Sequence, residues 1–188
     1  MKAVVLTTIL WKLSSVIAGQ LPPPEAWVQA DIATIRLDPS QFANLPRPVT
    51  AELHRRGCTV PQVYADKRPH NVIRGSFTTR AQVDWAVLCS RRRTSSILIF
   101  WGGNPTTISE LESKPDAGFL QVVNPGQIGF SRAIGVASPK YIREHHEQYG
   151  GPKPPPLTHD GINDMFVGKA SVVWYWHRGK WLQLQGAD

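Results

Sequence analysis

His159 and Asp160 are the neighbouring residues in this sequence whose types best suit general acid–base chemistry. They follow the proline-rich stretch GPKPPPLT, in a position typical of the surface loops that carry functional residues. A histidine can accept a proton near neutral pH, and a carboxylate can orient its ring. The pair indicates one candidate activity, that of a small hydrolase. The alternative is structural, with Asp160 and Gly161 forming a turn.

Asp84 is a further catalytic candidate, because it stands directly before the apolar run WAVL. A carboxylate at the start of such a strand must either reach solvent or find hydrogen-bond partners. His70 and Arg74 are the candidate partners.

Two adjacent histidines, His145 and His146, precede Glu147 on a predicted helix. Neighbouring side chains on a helix point about 100° apart, whereas a helical zinc pair needs the i, i+4 spacing of H-E-x-x-H. A solvated helix face is the simpler interpretation. The sequence contains no G-x-S-x-G, P-loop, G-x-G-x-x-G or C-x-x-C motif. We therefore expect no metal and no cofactor.

Tryptophans are concentrated near the C-terminus, where Trp176 and Trp181 flank a predicted hairpin turn at Arg178 and Gly179. If exposed, these two rings would suit a carbohydrate or protein ligand. If buried, they would be ordinary core residues of two strands. Trp176 and Trp181 are therefore the candidate ligand-binding residues.

The first twenty residues, MKAVVLTTILWKLSSVIAGQ, resemble a secretory signal peptide, with a positive start, a short apolar run and small residues before a cleavage point. They predict a signal peptide over 1–19 and an exported protein, periplasmic or extracellular. An amphipathic helix of a cytoplasmic protein is the alternative. The apolar run is shorter than the roughly 20 residues of a membrane-spanning helix, and no later stretch qualifies.

The two cysteines, Cys58 and Cys89, are expected to be bonded in an exported protein. In the cytoplasm they would be small buried thiols. A third hypothesis makes Cys58 a reactive thiol beside Arg55 and Arg56. A disulfide would tie a strand to the end of a helix, which the sequence places at Gly57.

Basic residues exceed acidic residues by 21 to 14, which gives a formal net charge of +7. Such an excess permits contact with nucleic acid, anionic lipid or acidic glycan without requiring any of them. Nucleic acid is disfavoured as a ligand, because net charge is the only feature of the sequence that supports it. The triplet Arg91–Arg93 follows a predicted strand, so a solvated turn is the simpler interpretation and a binding patch is the alternative.

The length predicts a single domain over 20–188. The order of the elements predicts an α+β fold, with a mostly antiparallel sheet of about six or seven strands and two or three flanking helices. Val28, Ile32 and Ile35 recur at helical spacing, which predicts a short first helix. The stretch ILIFW at 97–101 is apolar throughout, which predicts a central strand covered on both faces.

Residues 75–88, GSFTTRAQVDWAVL, resemble an FG-GAP repeat of extracellular propeller proteins, with Gly75, Phe77 and Asp84 at the positions of that family. The positions that bind calcium in the family are Thr78–Ala81 here, and they offer no carboxylate. Calcium takes six to eight oxygen ligands. We therefore expect this stretch to be a strand, turn and strand without metal.

The strings RRGCTVPQ, PHNVIRGSFTTRAQVDWAVLCS and HDGINDMF together resemble an uncharacterised group of exported bacterial proteins. This resemblance implies export and supplies neither a catalytic residue nor a ligand. The prediction is a non-catalytic binding or interaction module of unknown ligand, for which a protein and a glycan are the candidates. The small hydrolase using His159 and Asp160 is the alternative.

Overall fold

The computed structural model describes residues 21–64 and 66–186, so the predicted signal peptide over 1–19 lies outside the described residues. The described helices are α1 (Pro24–Ala33), α2 (Arg47–Arg55) and α3 (Pro139–Tyr149). None of them is long and apolar enough to cross a membrane. The described strands are β1 (Arg36–Leu37), β2 (Val60–Pro61), β3 (Val72–Gly75), β4 (Asp84–Arg91), β5 (Thr94–Phe100), β6 (Ile108–Pro115), β7 (Leu120–Asn124), β8 (Gln127–Phe130), β9 (Arg132–Ala137), β10 (Gly161–Phe166), β11 (Ala170–His177) and β12 (Lys180–Gln185).

The strands form four antiparallel sheets, which confirms the α+β class and shows that the predicted single sheet of six or seven strands is wrong. Two sheets have four strands, in the orders β3–β4–β5–β6 and β9–β10–β11–β12, and β1–β2 and β7–β8 are separate pairs. The stretch 130–137 is interrupted at Ser131, whose N–H bonds to the Phe119 carbonyl. β8 therefore ends in one sheet and β9 begins in another.

β5 lies between β4 and β6 and is covered on both faces, as predicted from its apolar sequence. Leu98 and Phe100 face a core that includes residues of α2, and Ile97 and Ile99 face a second core. β4 alternates in the same way, with Trp85, Val87 and Cys89 in the first core and Ala86 and Leu88 in the second. Burial of each large apolar side chain stabilises the fold by roughly 1.5–3 kcal/mol.

Arg132 links the two four-stranded sheets through a buried guanidinium. Its Nε and Nη2 donate to the Asp164 carboxylate of β10 at 3.0 and 2.8 Å. Nη1 donates to the Ser95 carbonyl and Nη2 also to the Glu112 carbonyl, on β5 and β6. A buried ion pair is tolerated only when its remaining hydrogen-bonding groups also have partners. The two backbone carbonyls are those partners for the guanidinium. The guanidinium thereby fixes one sheet against the other.

α1 forms where the spacing of Val28, Ile32 and Ile35 predicted a helix, but these side chains face solvent, with exposures of 55, 51 and 65%. The opposite side of the helix carries the packing, with Trp27 and Ala30 against the second core. The periodicity therefore predicted the helix correctly, while the buried face is the other one.

α3 begins directly after Ser138 and ends directly before Gly150. The Ser138 hydroxyl accepts the Tyr141 N–H at 3.1 Å, and Gly150 follows the last turn with a positive φ of 78°. Both are standard helix-terminating features. The interpretation of His145 and His146 as a solvated face is wrong for His145, which is 3% exposed and donates from Nε2 to the Gln185 carbonyl at 3.1 Å.

Candidate functional site

An arginine-lined cleft of about 580 Å³ lies between the end of α2 and the β4–β5 hairpin. We call it the arginine cleft. One wall is formed by His54, Arg55, Arg56 and Gly57. The other wall is formed by Arg91, Arg92, Thr94 and Ser113. Four guanidinium groups therefore converge on one depression of the surface.

The α2 wall is positioned by the way in which the helix ends. Gly57 has a φ of 69°, and its N–H bonds to the His54 carbonyl at 2.8 Å. The Cys58 N–H reaches back to the Leu53 carbonyl at 2.9 Å. This is the Schellman pattern of helix termination, for which glycine is preferred because it adopts positive φ readily. These bonds fix the backbone at the end of α2, and Arg55 and Arg56 lie on the cleft wall just before that end.

The hairpin wall is a two-residue turn. Arg91 pairs with Thr94 across the ladder, which leaves Arg92 and Arg93 as the central residues. Their φ angles are 51° and 60°. Positive φ at both central residues is the property of a type I′ turn. Arg92 lines the arginine cleft, whereas Arg93 contacts Asp31 of α1 at 3.6 Å.

A disulfide between Cys58 and Cys89 joins the two walls, which confirms the predicted bond. The two Cα atoms are 5.2 Å apart, and the side chains are buried in the first core. Immediately beyond the disulfide, Thr59 and Ser90 exchange backbone hydrogen bonds of 3.0 and 2.8 Å. In the bonded state Cys58 is no reactive thiol. Its bond instead brings the end of α2 to the β4–β5 hairpin.

Three carboxylates partly neutralise the arginine cleft. Glu52 accepts hydrogen bonds of 2.7 Å from Arg55 and from Arg56, and these bonds lower the pKa of Glu52 to about 2. Arg91 bonds to Glu110 at 3.1 Å. Arg92 has no carboxylate within 4 Å in the part of the chain that the structure describes. Asp38 bonds to the cleft residue His54 at 2.9 Å. Four guanidinium groups against these three carboxylates leave a positive cleft.

His159 and Asp160 do not form the expected pair of base and orienting carboxylate. The His159 ring bonds through Nδ1 to the backbone carbonyl of Asp160 at 3.0 Å. The Asp160 carboxylate instead accepts the Ser76 N–H at 3.0 Å, and the Asp160 N–H bonds to the Ser76 carbonyl. Asp160 therefore anchors the loop that follows β3. With Nδ1 donating, Nε2 of His159 is left as the proton-accepting nitrogen.

Asp84 is fully buried, and its carboxylate organises two loops. It accepts from the N–H groups of Phe77 at 2.9 Å and Gly102 at 2.8 Å, and from the Gln82 amide at 2.6 Å. The proposed partners are wrong: Arg74 stacks over Trp85, and the His70 ring accepts the Val63 N–H. These three N–H donors occupy both carboxylate oxygens of Asp84, which are the oxygens that a calcium ion would need as ligands.

Trp176 and Trp181 are half-buried and form a cluster with Trp101. The Trp101 and Trp181 rings stack at 5.6 Å, and Trp176 meets Trp181 edge-on at 5.6 Å. The cluster joins the segment after β5 to the β11–β12 hairpin. Most of the ring surface is thus used between elements of the fold. The described residues include no cluster of metal-binding side chains.

Comparison with protein-family models, with curated proteins and with solved structures finds no match for this chain. The assignment of a site therefore depends on the geometry of the molecule itself.

Sequence reasoning did not identify the arginine cleft, although it recognised each of its basic segments. The signal was available in the cysteines. Arg55 and Arg56 stand three and two residues before Cys58, and Arg91 stands two residues after Cys89. Once those cysteines are paired, the two basic segments must meet. The interpretation of Arg91–Arg93 as a turn is correct, and two of its three side chains also line the cleft.

Proposed function

We propose that this chain is an exported binding module that binds an acidic glycan in the arginine cleft. The observation that carries the proposal is the convergence of four arginines on one cleft, where they have only Glu52 and Glu110 as carboxylate partners within 4 Å among the described residues. Guanidinium groups bind carboxylate and sulfate oxygens through paired hydrogen bonds. The disulfide supports export, since such bonds persist in oxidising compartments.

The composition of the cleft favours a glycan over a nucleic acid. Proteins that bind single strands provide aromatic rings on which bases stack, and the lining of the arginine cleft includes no phenylalanine, tyrosine or tryptophan. The volume of about 580 Å³ is in the range of pockets that hold small ligands. A short acidic saccharide fits these two properties better than a duplex, whose backbone would need an extended basic surface.

Binding of a sulfated dextran oligosaccharide, with unsulfated dextran of the same length as reference, tests the proposal. We expect calorimetry to show binding of the sulfated form alone. The double variant Arg55→Ala/Arg56→Ala should weaken it at least tenfold, because hydrogen bonds to charged groups each contribute roughly 1.5–3 kcal/mol. Lys140→Ala/Arg143→Ala removes the same charge from α3, where both residues are exposed.

Equal loss of affinity in the two double variants would show that net charge, and not the arginine cleft, attracts the saccharide. Tighter binding of single-stranded DNA of equal charge would favour nucleic acid over glycan as the ligand.

The small hydrolase using His159 and Asp160 is the second candidate. One observation favours it: the hydrogen bond from Nδ1 to the Asp160 carbonyl fixes the ring and leaves Nε2 able to accept a proton. A screen against ester, phosphate and glycan substrates tests it. Any activity that His159→Ala abolishes, with the fold retained, supports the hydrolase, and unchanged activity removes this pair from consideration.

A further inference from the structure

The β4–β5 turn differs from the other tight hairpin turns of the described residues. The β7–β8, β10–β11 and β11–β12 turns each place a glycine at a positive φ: Gly126 at 75°, Gly168 at 77° and Gly179 at 82°. The β11–β12 turn has Arg178 at φ 48° before its glycine, whereas the β4–β5 turn has two arginines, at φ of 51° and 60°, and no glycine. Positive φ is unfavourable for a residue with a β-carbon, and Asn-Gly is the preferred pair in such a turn.

The two arginines of this turn have different surroundings. Arg93 reaches Asp31 at 3.6 Å, and its carbonyl accepts the Asp116 N–H at 2.9 Å. A structural role therefore accounts for Arg93. Arg92 has no carboxylate within 4 Å among the described residues, and it lines the arginine cleft opposite Arg55 and Arg56. Its side chain makes no hydrogen bond or ion pair within the described residues that would offset the cost of its conformation.

Backbone strain that a structure retains without a local benefit is a recognised property of ligand-binding positions. We propose that Arg92 is the residue that contacts the acidic group of the ligand, and that the turn keeps an unfavourable conformation in order to place it. This inference rests on the proposed function of the arginine cleft. The pairing of Arg91 with Thr94 holds the turn on a regular ladder, so little backbone entropy remains to be lost on binding.

The unpaired state of Arg92 also distinguishes it within the cleft. Arg55, Arg56 and Arg91 each have a carboxylate partner that a ligand must share or displace. Arg92 offers its whole guanidinium fork to the ligand. It should therefore contribute more to affinity than Arg91, although the two are neighbours in sequence.

The test measures stability and affinity together in matched turn variants. Arg92→Asn places a residue that tolerates positive φ at the first turn position, and Arg93→Asn does the same at the second. We expect Arg92→Asn to raise the melting temperature by about 2–4 °C and to weaken binding of the sulfated dextran oligosaccharide about tenfold. Arg93→Asn should leave that affinity within twofold of the unmodified protein. Arg92→Lys should retain part of the affinity without the gain in stability.

The outcomes separate the two proposals. If the unmodified protein binds the saccharide and Arg92→Asn binds it equally well, the role of Arg92 is overturned while the arginine cleft remains the proposed site. If Arg92→Asn and Arg93→Asn weaken binding equally, the turn acts through its charge and the assignment to Arg92 is wrong. If the unmodified protein does not bind, both proposals fail.

Discussion

The Cys58–Cys89 disulfide lies directly behind the arginine cleft and connects its two walls. Cys58 follows Gly57, the last cleft residue of the α2 segment, and Cys89 is two residues before Arg91. The bond joins two residues that are 31 positions apart in the sequence, and it is buried in the first core. The same link therefore stabilises the fold and sets the position of the arginines.

Removing this link should reduce stability by about 3–4 kcal/mol, the loss of loop-closure entropy for a loop of this length. The variant Cys58→Ala/Cys89→Ala and urea unfolding measure it. Thiol titration of the unmodified protein under denaturing, non-reducing conditions should find no free thiol. Two free thiols, or a double variant as stable as the parent, would contradict the structural role of the bond.

Glu52→Gln should increase affinity for the sulfated saccharide severalfold. Glu52 holds Arg55 and Arg56 through two hydrogen bonds, and its pKa of about 2 keeps it charged at any ordinary pH. Its removal raises the charge of the cleft by one and frees both arginines for a ligand. Glu147→Gln, at an exposed position on α3, is the control for net charge. Weaker binding by Glu52→Gln would mean that Glu52 positions the arginines more than it competes with the ligand.

Asp84→Asn should destabilise the protein by about 2–3 kcal/mol, because the carboxylate accepts three hydrogen bonds in a fully buried position. An asparagine amide cannot accept from all three donors. Millimolar calcium should leave the melting temperature of the unmodified protein unchanged relative to a chelator, since binding to the native state would raise it. A calcium-dependent rise that disappears in Asp84→Asn would restore the FG-GAP interpretation.

Stability should fall in acid partly through His145. Burial lowers the pKa of this histidine, and the hydrogen bond to the Gln185 carbonyl only partly opposes the effect. The unfolded chain therefore takes up the proton first as pH falls through the ordinary histidine range. The stability that neutral His145 provides is present above that range and is lost as pH falls towards the lowered folded-state pKa.

The variant His145→Phe tests this dependence, because it keeps an aromatic ring between Tyr141 and Tyr149. The difference in melting temperature between pH 7.5 and pH 5 should be smaller in the variant than in the parent. An unchanged difference would show that other groups account for the loss of stability in acid.

The sequence predicted those parts of the fold that depend on local interactions. The end of α2 at Gly57 follows from backbone capping, which is encoded within a few residues. The central position of β5 follows from the apolar stretch ILIFW, since a strand that is apolar throughout is covered on both faces.

Longer-range features were not predictable in this way. β6, with the sequence ISELESKP, is an edge strand whose side chains are mostly polar, so it has no apolar pattern to reveal it. The link between the two four-stranded sheets is made by Arg132, which contacts residues 20 to 37 positions away. The arginine cleft likewise joins segments about 35 residues apart and becomes visible only when the disulfide pairing is known.

Binding of an acidic glycan in the arginine cleft is tested most directly by titrating the labelled protein with the sulfated dextran oligosaccharide and mapping the changes in backbone amide chemical shift. We expect the largest changes on the two walls of the arginine cleft, at residues 54–57, 91, 92, 94 and 113, and no changes with unsulfated dextran. Changes centred on Trp176 and Trp181, or on His159 and Asp160, with the arginine cleft unaffected would contradict binding in the cleft.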